Sequence, residues 1–78
     1  AVGHDSTLSD FSSVMANVVI SGSVKINEFT FIGSNTTILP NKTICNNSKI
    51  CAGSVVISDI PAHSFAYGNP ARVVIKEN

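Results

Sequence analysis

The sequence predicts an all-β solenoid, and three observations predict it. First, every sixth residue from Val2 to Val56 is a branched aliphatic: Val2, Leu8, Val14, Ile20, Ile26, Ile32, Ile38, Ile44, Ile50 and Val56. A helix repeats its apolar face every 3.6 residues and a strand every 2, so a strict period of six belongs to a stacked repeat. Second, four residues after each of these positions stand Ser6, Ser12, Val18, Val24, Thr30, Thr36, Lys42, Ser48 and Ser54, all small or β-branched except Lys42. A large and a small side chain thus alternate into one interior, with short strands between corners. Third, the positions three after each aliphatic are Asp5, Phe11, Asn17, Ser23, Phe29, Asn35, Asn41, Asn47 and Gly53. Most are Asp, Asn or Gly, the residues that tolerate positive φ in a tight turn.

Taken in order, residues 1–12 form two repeats that carry Gly3, His4 and Asp5. Lys42 breaks the small-residue rule. A buried ammonium without a partner is costly, so either the Pro40-Asn41-Lys42 corner bulges or the amine snorkels outward. Pro40 suits a corner or an unpaired position better than a ladder. The repeat stops after Val56. Ile57 to Ile60 lead into an exit turn at Pro61-Ala62-His63-Ser64, and Phe65-Ala66-Tyr67 reads as a short extended piece. Gly68-Asn69-Pro70-Ala71-Arg72 is a loop by composition, and Val73 to Ile75 form a last strand.

The 78 residues allow one domain at most. Five basic and five acidic residues cancel, and no basic patch argues for nucleic acid. No apolar run approaches the ~18 residues of a membrane span, and no signal peptide is visible. The chain starts inside the repeat without an initiator Met, so we expect a fragment of a longer protein. Asn35-Thr36-Thr37, Asn41-Lys42-Thr43 and Asn46-Asn47-Ser48 match the glycosylation acceptor pattern, but an Asn-rich repeat produces such matches by chance.

The period-six pattern resembles the hexapeptide-repeat acyltransferases over nearly the whole chain. The resemblance implies a single-stranded left-handed parallel β-helix of about three coils, with a short C-terminal extension. Three hexapeptides then make one triangular coil, and residues 18 apart stack. The implied interior columns are Val2/Ile20/Ile38/Val56, Leu8/Ile26/Ile44 and Val14/Ile32/Ile50. Asn17, Asn35 and Gly53 share one corner. Phe11 and Phe29, also 18 apart, are expected to stack outside the prism, as local packing or as a subunit contact. Cys45 and Cys51 fall on two different faces of one coil, too far apart for a disulfide, so free thiols and a reducing, cytoplasmic setting are expected. The expected division is 1–60 for the β-helix and 61–78 for a C-terminal cap with a coenzyme A-proximal loop.

The Gly68-Asn69-Pro70-Ala71-Arg72 string is similar to one shared among coenzyme A-dependent members of that superfamily. The resemblance assigns donor binding to Gly53, Gly68, Asn69, Pro70, Ala71, Arg72 and Lys76, with Arg72 and Lys76 suited by charge to phosphates. The alternative for this string is a loop that only caps the solenoid. His4-Asp5, with Gly22 one family coil length later, resembles the sugar O-acyltransferase family that includes sialic-acid O-acetyltransferases and UDP-amino-sugar N-acetyltransferases. In that family a His followed by an acid is the base, and a Gly one coil on offers its N–H to the thioester oxygen. The matching positions are His4, Asp5 and Gly22. Members often have Ala-Gly-Asn where this chain has Ser21-Gly22-Ser23. His63 has no acidic neighbour on its C-terminal side and is expected to be structural or donor-proximal.

The chemistry asks for these groups. An imidazole takes the proton that an attacking hydroxyl or amine loses, a carboxylate orients it, and a backbone N–H meets the developing oxyanion. The expected function is therefore acetyl transfer from acetyl-CoA to a sugar or sugar nucleotide, without a metal. A homotrimer is expected because a thin prism offers little core per residue. The family's N-terminal acceptor-binding domain is expected to lie outside these 78 residues. Three rivals remain: a catalytically incomplete trimerising fragment, a γ-carbonic-anhydrase-like metalloenzyme, for which two His are few, and an ice-binding solenoid, for which no Thr-x-Thr ladder repeats.

Overall fold

The computed structural model describes residue 3 and residues 5–76. Nine two-residue strands follow one another at six-residue intervals: β1 Thr7–Leu8, β2 Ser13–Val14, β3 Val19–Ile20, β4 Lys25–Ile26, β5 Phe31–Ile32, β6 Thr37–Ile38, β7 Thr43–Ile44, β8 Lys49–Ile50 and β9 Val55–Val56. Each of β1 to β6 pairs in parallel with the strand 18 residues on, for example Thr7↔Lys25, Ser13↔Phe31 and Val19↔Thr37. The result is a parallel β-helix whose three faces are β1-β4-β7, β2-β5-β8 and β3-β6-β9. β10 Ser64–Gly68 and β11 Ala71–Lys76 extend the second face.

The three faces meet at three corners. Corner I follows β1, β4 and β7; corner II follows β2, β5 and β8; corner III follows β3 and β6 and precedes β1. All nine corner residues read from the sequence adopt positive φ, between 59° and 76°. Their amides tie one coil to the next: Asn35 N donates to Ala16 O, Asn41 N to Gly22 O, Asn47 N to Glu28 O and Gly53 N to Ser34 O. The residue before each of these lends no N–H to the ladder among the described residues. Pro40 occupies that position, so its missing N–H costs no bond.

Seven of the period-six aliphatics, Ile20 to Val56, are buried. Each isoleucine removed from water in this way contributes about 1.5–3 kcal/mol. Leu8 is 43% exposed and Val14 half-buried, because they line the outermost described coil with no described coil against them. Val2 lies outside the described residues. Between the aliphatics, Val18, Val24, Thr30, Thr36, Ser48 and Ser54 are also buried. The hydroxyls among them donate to corner carbonyls: Thr30 to Cys45 O, Thr36 to Cys51 O, Ser48 to Pro61 O and Ser54 to Cys51 O. Burial without such partners would cost each of them. Lys42 is half-buried, and its corner does not bulge, since Asn41 keeps φ 63° and the Lys25↔Thr43 register holds. The bulge, one of the two expected alternatives, is therefore not formed. Cys45 and Cys51 are free thiols.

The aliphatic repeat ends at Val56, but the coil does not. A further coil, two residues shorter, stacks on the third: Ile60 bridges Ile44, and Phe65 and Ala66 pair with Lys49 and Ile50. Ala66 takes the inner position above Ile50 and is fully buried, so the prism narrows. Asp59 Oδ1 accepts from Thr43 N at 2.8 Å, where the regular coils use a backbone carbonyl. The expected five-residue loop at Gly68–Arg72 is instead a tight hairpin. Gly68 pairs with Ala71, and only Asn69 and Pro70, joined by a cis peptide, form the turn. Composition pointed to a loop because Gly, Asn and Pro concentrate in turns of any length.

Candidate functional site

The corner III residues expected to do chemistry sit on the first two described coils. His4 lies outside the described residues. Asp5 follows it at the exposed corner position, φ 61°. Gly22 stands one coil on, half-buried. Three contacts lock its peptide. Gly3 N donates to Ile20 O, and a Cβ built on Gly3 would fall 2.5 Å from Gly22 N and from Ser21 C. Ser6 Oγ donates to Ser21 O at 2.6 Å and accepts from Val24 N at 3.2 Å, spanning the Gly22 corner. Gly22 O accepts from Asn41 N at 3.0 Å. The Gly22 N–H is not used by the ladder among the described residues. Among the described residues this corner, like the others, holds one backbone donor outside the ladder, the kind of group that stabilising an oxyanion requires.

The donor-side residues gather at the other end. Gly53 is at corner II with φ 76°, and a Cβ there would meet nothing within 4 Å. Ser54, next in the chain, accepts from Gly68 N through its Oγ at 3.1 Å. That bond brings the hairpin turn against corner II, so Gly53, Gly68, Asn69, Pro70 and Ala71 share one end of the helix. Gly68 has φ 114°, which a side chain rarely adopts.

Arg72 and Lys76, by contrast, are not brought together. Arg72 pairs with Tyr67 and Lys76 with Ser64, and the register shifts between Phe65 and Ala66. The shift inserts one residue of β11, which reverses the alternation of sides. Arg72 therefore shares the outer side of the hairpin with Tyr67 and Phe65, and Lys76 shares the side of Ser64 and Ala66.

The two sets also stand on different corners, with the β3-β6-β9 face between them, and two coils of about 4.8 Å each separate Gly22 from the hairpin level. Two open depressions on the described surface lie elsewhere. One is lined by Ser9, Asn27, Glu28, Phe29, Asn46 and Asn47, the other by Asn47, Lys49, His63, Ser64, Phe65 and Ile75. His63 has φ 57° and donates its N–H to Asn46 O, continuing corner I into the shortened coil. Sequence reasoning missed Ser6, Ser54 and Gly33 as positioning residues. The two serines stand in the small-residue column, where packing alone accounts for them. A Cβ on Gly33 would fall 2.5 Å from Ala52 N, an inter-coil contact that no local pattern announces.

No protein-family model matches the sequence. A putative acetyltransferase of Staphylococcus aureus strain MRSA252 is 48% identical over 56 residues, covering 72% of this chain and 28% of that protein. Serine acetyltransferase of Brucella abortus in complex with coenzyme A superposes on the whole chain with a TM-score of 0.94 at 30% identity, 34% of that protein being covered. PerB of Caulobacter crescentus, in complex with coenzyme A and GDP-perosamine, superposes on 80% of the chain with a TM-score of 0.67 at 31% identity, 27% of that protein being covered. The chain has the fold of the hexapeptide-repeat acyltransferases. It spans about a third or less of the length of these acetyltransferases.

Proposed function

We propose that the chain is the catalytic and donor-binding β-helix of an acetyl-CoA-dependent acetyltransferase. The observation that carries this reading is the superposition of the whole chain, hairpin included, on a coenzyme A-bound acetyltransferase. Acetyl-CoA is the co-substrate, held at Gly53 and the Gly68–Ala71 turn with Arg72 on a phosphate. Lys76, on the other side of the hairpin, meets a different part of the donor or none.

His4 removes the proton as an acceptor hydroxyl or amine attacks the thioester carbonyl, and Asp5 orients the ring. The Gly22 N–H receives the oxyanion. Collapse of the tetrahedral intermediate expels the coenzyme A thiolate, which takes the proton back from His4, so no acyl-enzyme forms. Gly22 and the donor turn occupy different corners of one protomer. A homotrimer with each site between two subunits, one supplying corner III and its neighbour the hairpin, resolves that separation.

The acceptor is a small polar molecule. Two classes are supported by named similarities: an amino sugar, as in PerB's GDP-perosamine complex, and serine, as in the Brucella enzyme. The test is single-turnover acetyl transfer in the full-length protein with each acceptor. His4→Ala should slow the chemical step by about two to four orders of magnitude while coenzyme A binding changes little. An undiminished chemical step in His4→Ala would remove the assignment. Sedimentation that finds only monomer in the full-length protein would remove the shared site.

A further inference from the structure

We propose that corner I carries a binding subsite for a pyranose ring, separate from corner III, where Gly22 stands. The argument starts from strain. Phe11 and Phe29 occupy corner positions at φ 63° and 59°, where the other corners hold Asn, Asp, Ser or Gly. A bulky side chain in the left-handed region is strained, and here two residues bear that strain. The two rings stack with centroids 5.4 Å apart and planes 9° apart, a single favourable contact. Stacking therefore offsets the strain only in part. Yet the rings are 72% and 57% exposed, so burial does not supply the remainder. Strained, exposed side chains of this kind point to function.

The second observation is what surrounds Phe29. An open depression of ≈ 360 Å³ is lined by Ser9, Asn27, Glu28, Phe29, Asn46 and Asn47. That is the volume of a small-ligand site. Its floor is rigid, since Asn47 N donates to Glu28 O and His63 N to Asn46 O, both at 3.1 Å. The three amide side chains each donate and accept, the Ser9 hydroxyl does both, and the Glu28 carboxylate accepts. One face of Phe29 is taken by Phe11, Asn47 stands one coil above the other, and the side chain remains 57% exposed. A ligand that fits offers an apolar ring face to the aromatic and a circle of hydroxyls to the amides. A pyranose does both. A phosphorylated ligand does not fit, because the lining contains a carboxylate and no Lys or Arg. A metal does not either, since a single carboxylate is the only charged group there. The Glu28 carboxylate favours an amino-substituted ring.

This proposal does not depend on the acetyl-transfer reading, and its test contains no acetyl-CoA. Backbone amide shifts of the intact, isotope-labelled chain are followed by NMR as methyl α-D-glucopyranoside or D-glucosamine is added, with glycerol as the control. The expected result is saturable change at residues 27–29 and 46–47, with a Kd on the order of 1 mM and tighter binding of glucosamine. Phe29→Asn should weaken binding about tenfold or more while β-structure persists, because Asn already occupies the equivalent corner at Asn47. Glu28→Gln should abolish the preference for glucosamine. If Phe29→Asn does not fold, Asn46→Ala, an exposed change, reads the same loss. Identical shifts with glycerol, shifts elsewhere, or unchanged binding by the variants would overturn the proposal. So would concentration-dependent self-association through Phe11 and Phe29 that neither sugar displaces.

Discussion

The first three coils and the last one are built from the same sheet faces by different means. In the regular coils every ladder closes at 18 residues, with an aliphatic inside each strand, and each ladder amide of the first two coils has a backbone acceptor on the coil above. In the last coil the spacing falls to 16, Ala66 replaces the large aliphatic, and the Asp59 carboxylate stands in for a carbonyl. Its strand then reverses into an antiparallel hairpin. A uniform repeat has no natural end, because each coil offers the next a full set of unpaired edges. Termination requires departures from the repeat, and here those departures are also what places the residues proposed to bind the donor.

The largest expected effects test the uniform half. Ile44→Ala should destabilise the fold by about 2–5 kcal/mol in urea denaturation, since its fully buried side chain lies between the inner residues of neighbouring coils. Ala66→Leu tests the tapered half from the other direction. Overpacking there should cost about 1–3 kcal/mol, and a neutral result would mean that the last coil is not closed around Ala66.

Gly33→Ala comes next. The added Cβ falls 2.5 Å from Ala52 N and 2.8 Å from its Cα, and backbone cannot yield as a flexible side chain does. About 1–3 kcal/mol should be lost, whereas Gly53→Ala, with open space but φ 76°, should lose only about 1 kcal/mol. Equal costs would show that the coils are less tightly stacked at Gly33 than a 2.5 Å approach requires.

Smaller effects probe the hairpin. Arg72→Ala should weaken coenzyme A binding about tenfold, the worth of one charge-assisted contact, and Lys76→Ala should change it less, because the shifted register puts Lys76 on the other side. Equal losses by calorimetry in the full-length protein would refute that separation. Asp59→Ala should cost about 1 kcal/mol, since the Thr43 amide can turn to water once its acceptor is gone.

The stacked interior and the corners were legible in the sequence because each rests on a local and periodic cause. An aliphatic every six residues has one place to go in a prism, and Asn, Asp or Gly at every sixth position announces a left-handed turn. The Phe11–Phe29 stack followed from the same spacing. His4, Asp5 and Gly22 were named by resemblance, and the structure adds the clamp of Gly3, Ser6 and Asn41 around Gly22, which depends on contacts one coil away.

What the tertiary structure alone decided is how the repeat ends. The two-residue shortening, the carboxylate at Asp59 and the bulge that parts Arg72 from Lys76 leave no periodic trace, because each is set by fit between neighbouring coils rather than by local preference. The same holds for Gly33, whose need for a bare Cα comes entirely from the backbone stacked upon it. Periodicity along the chain determines the faces of this protein, and the contacts between turns determine where its chemistry can stand.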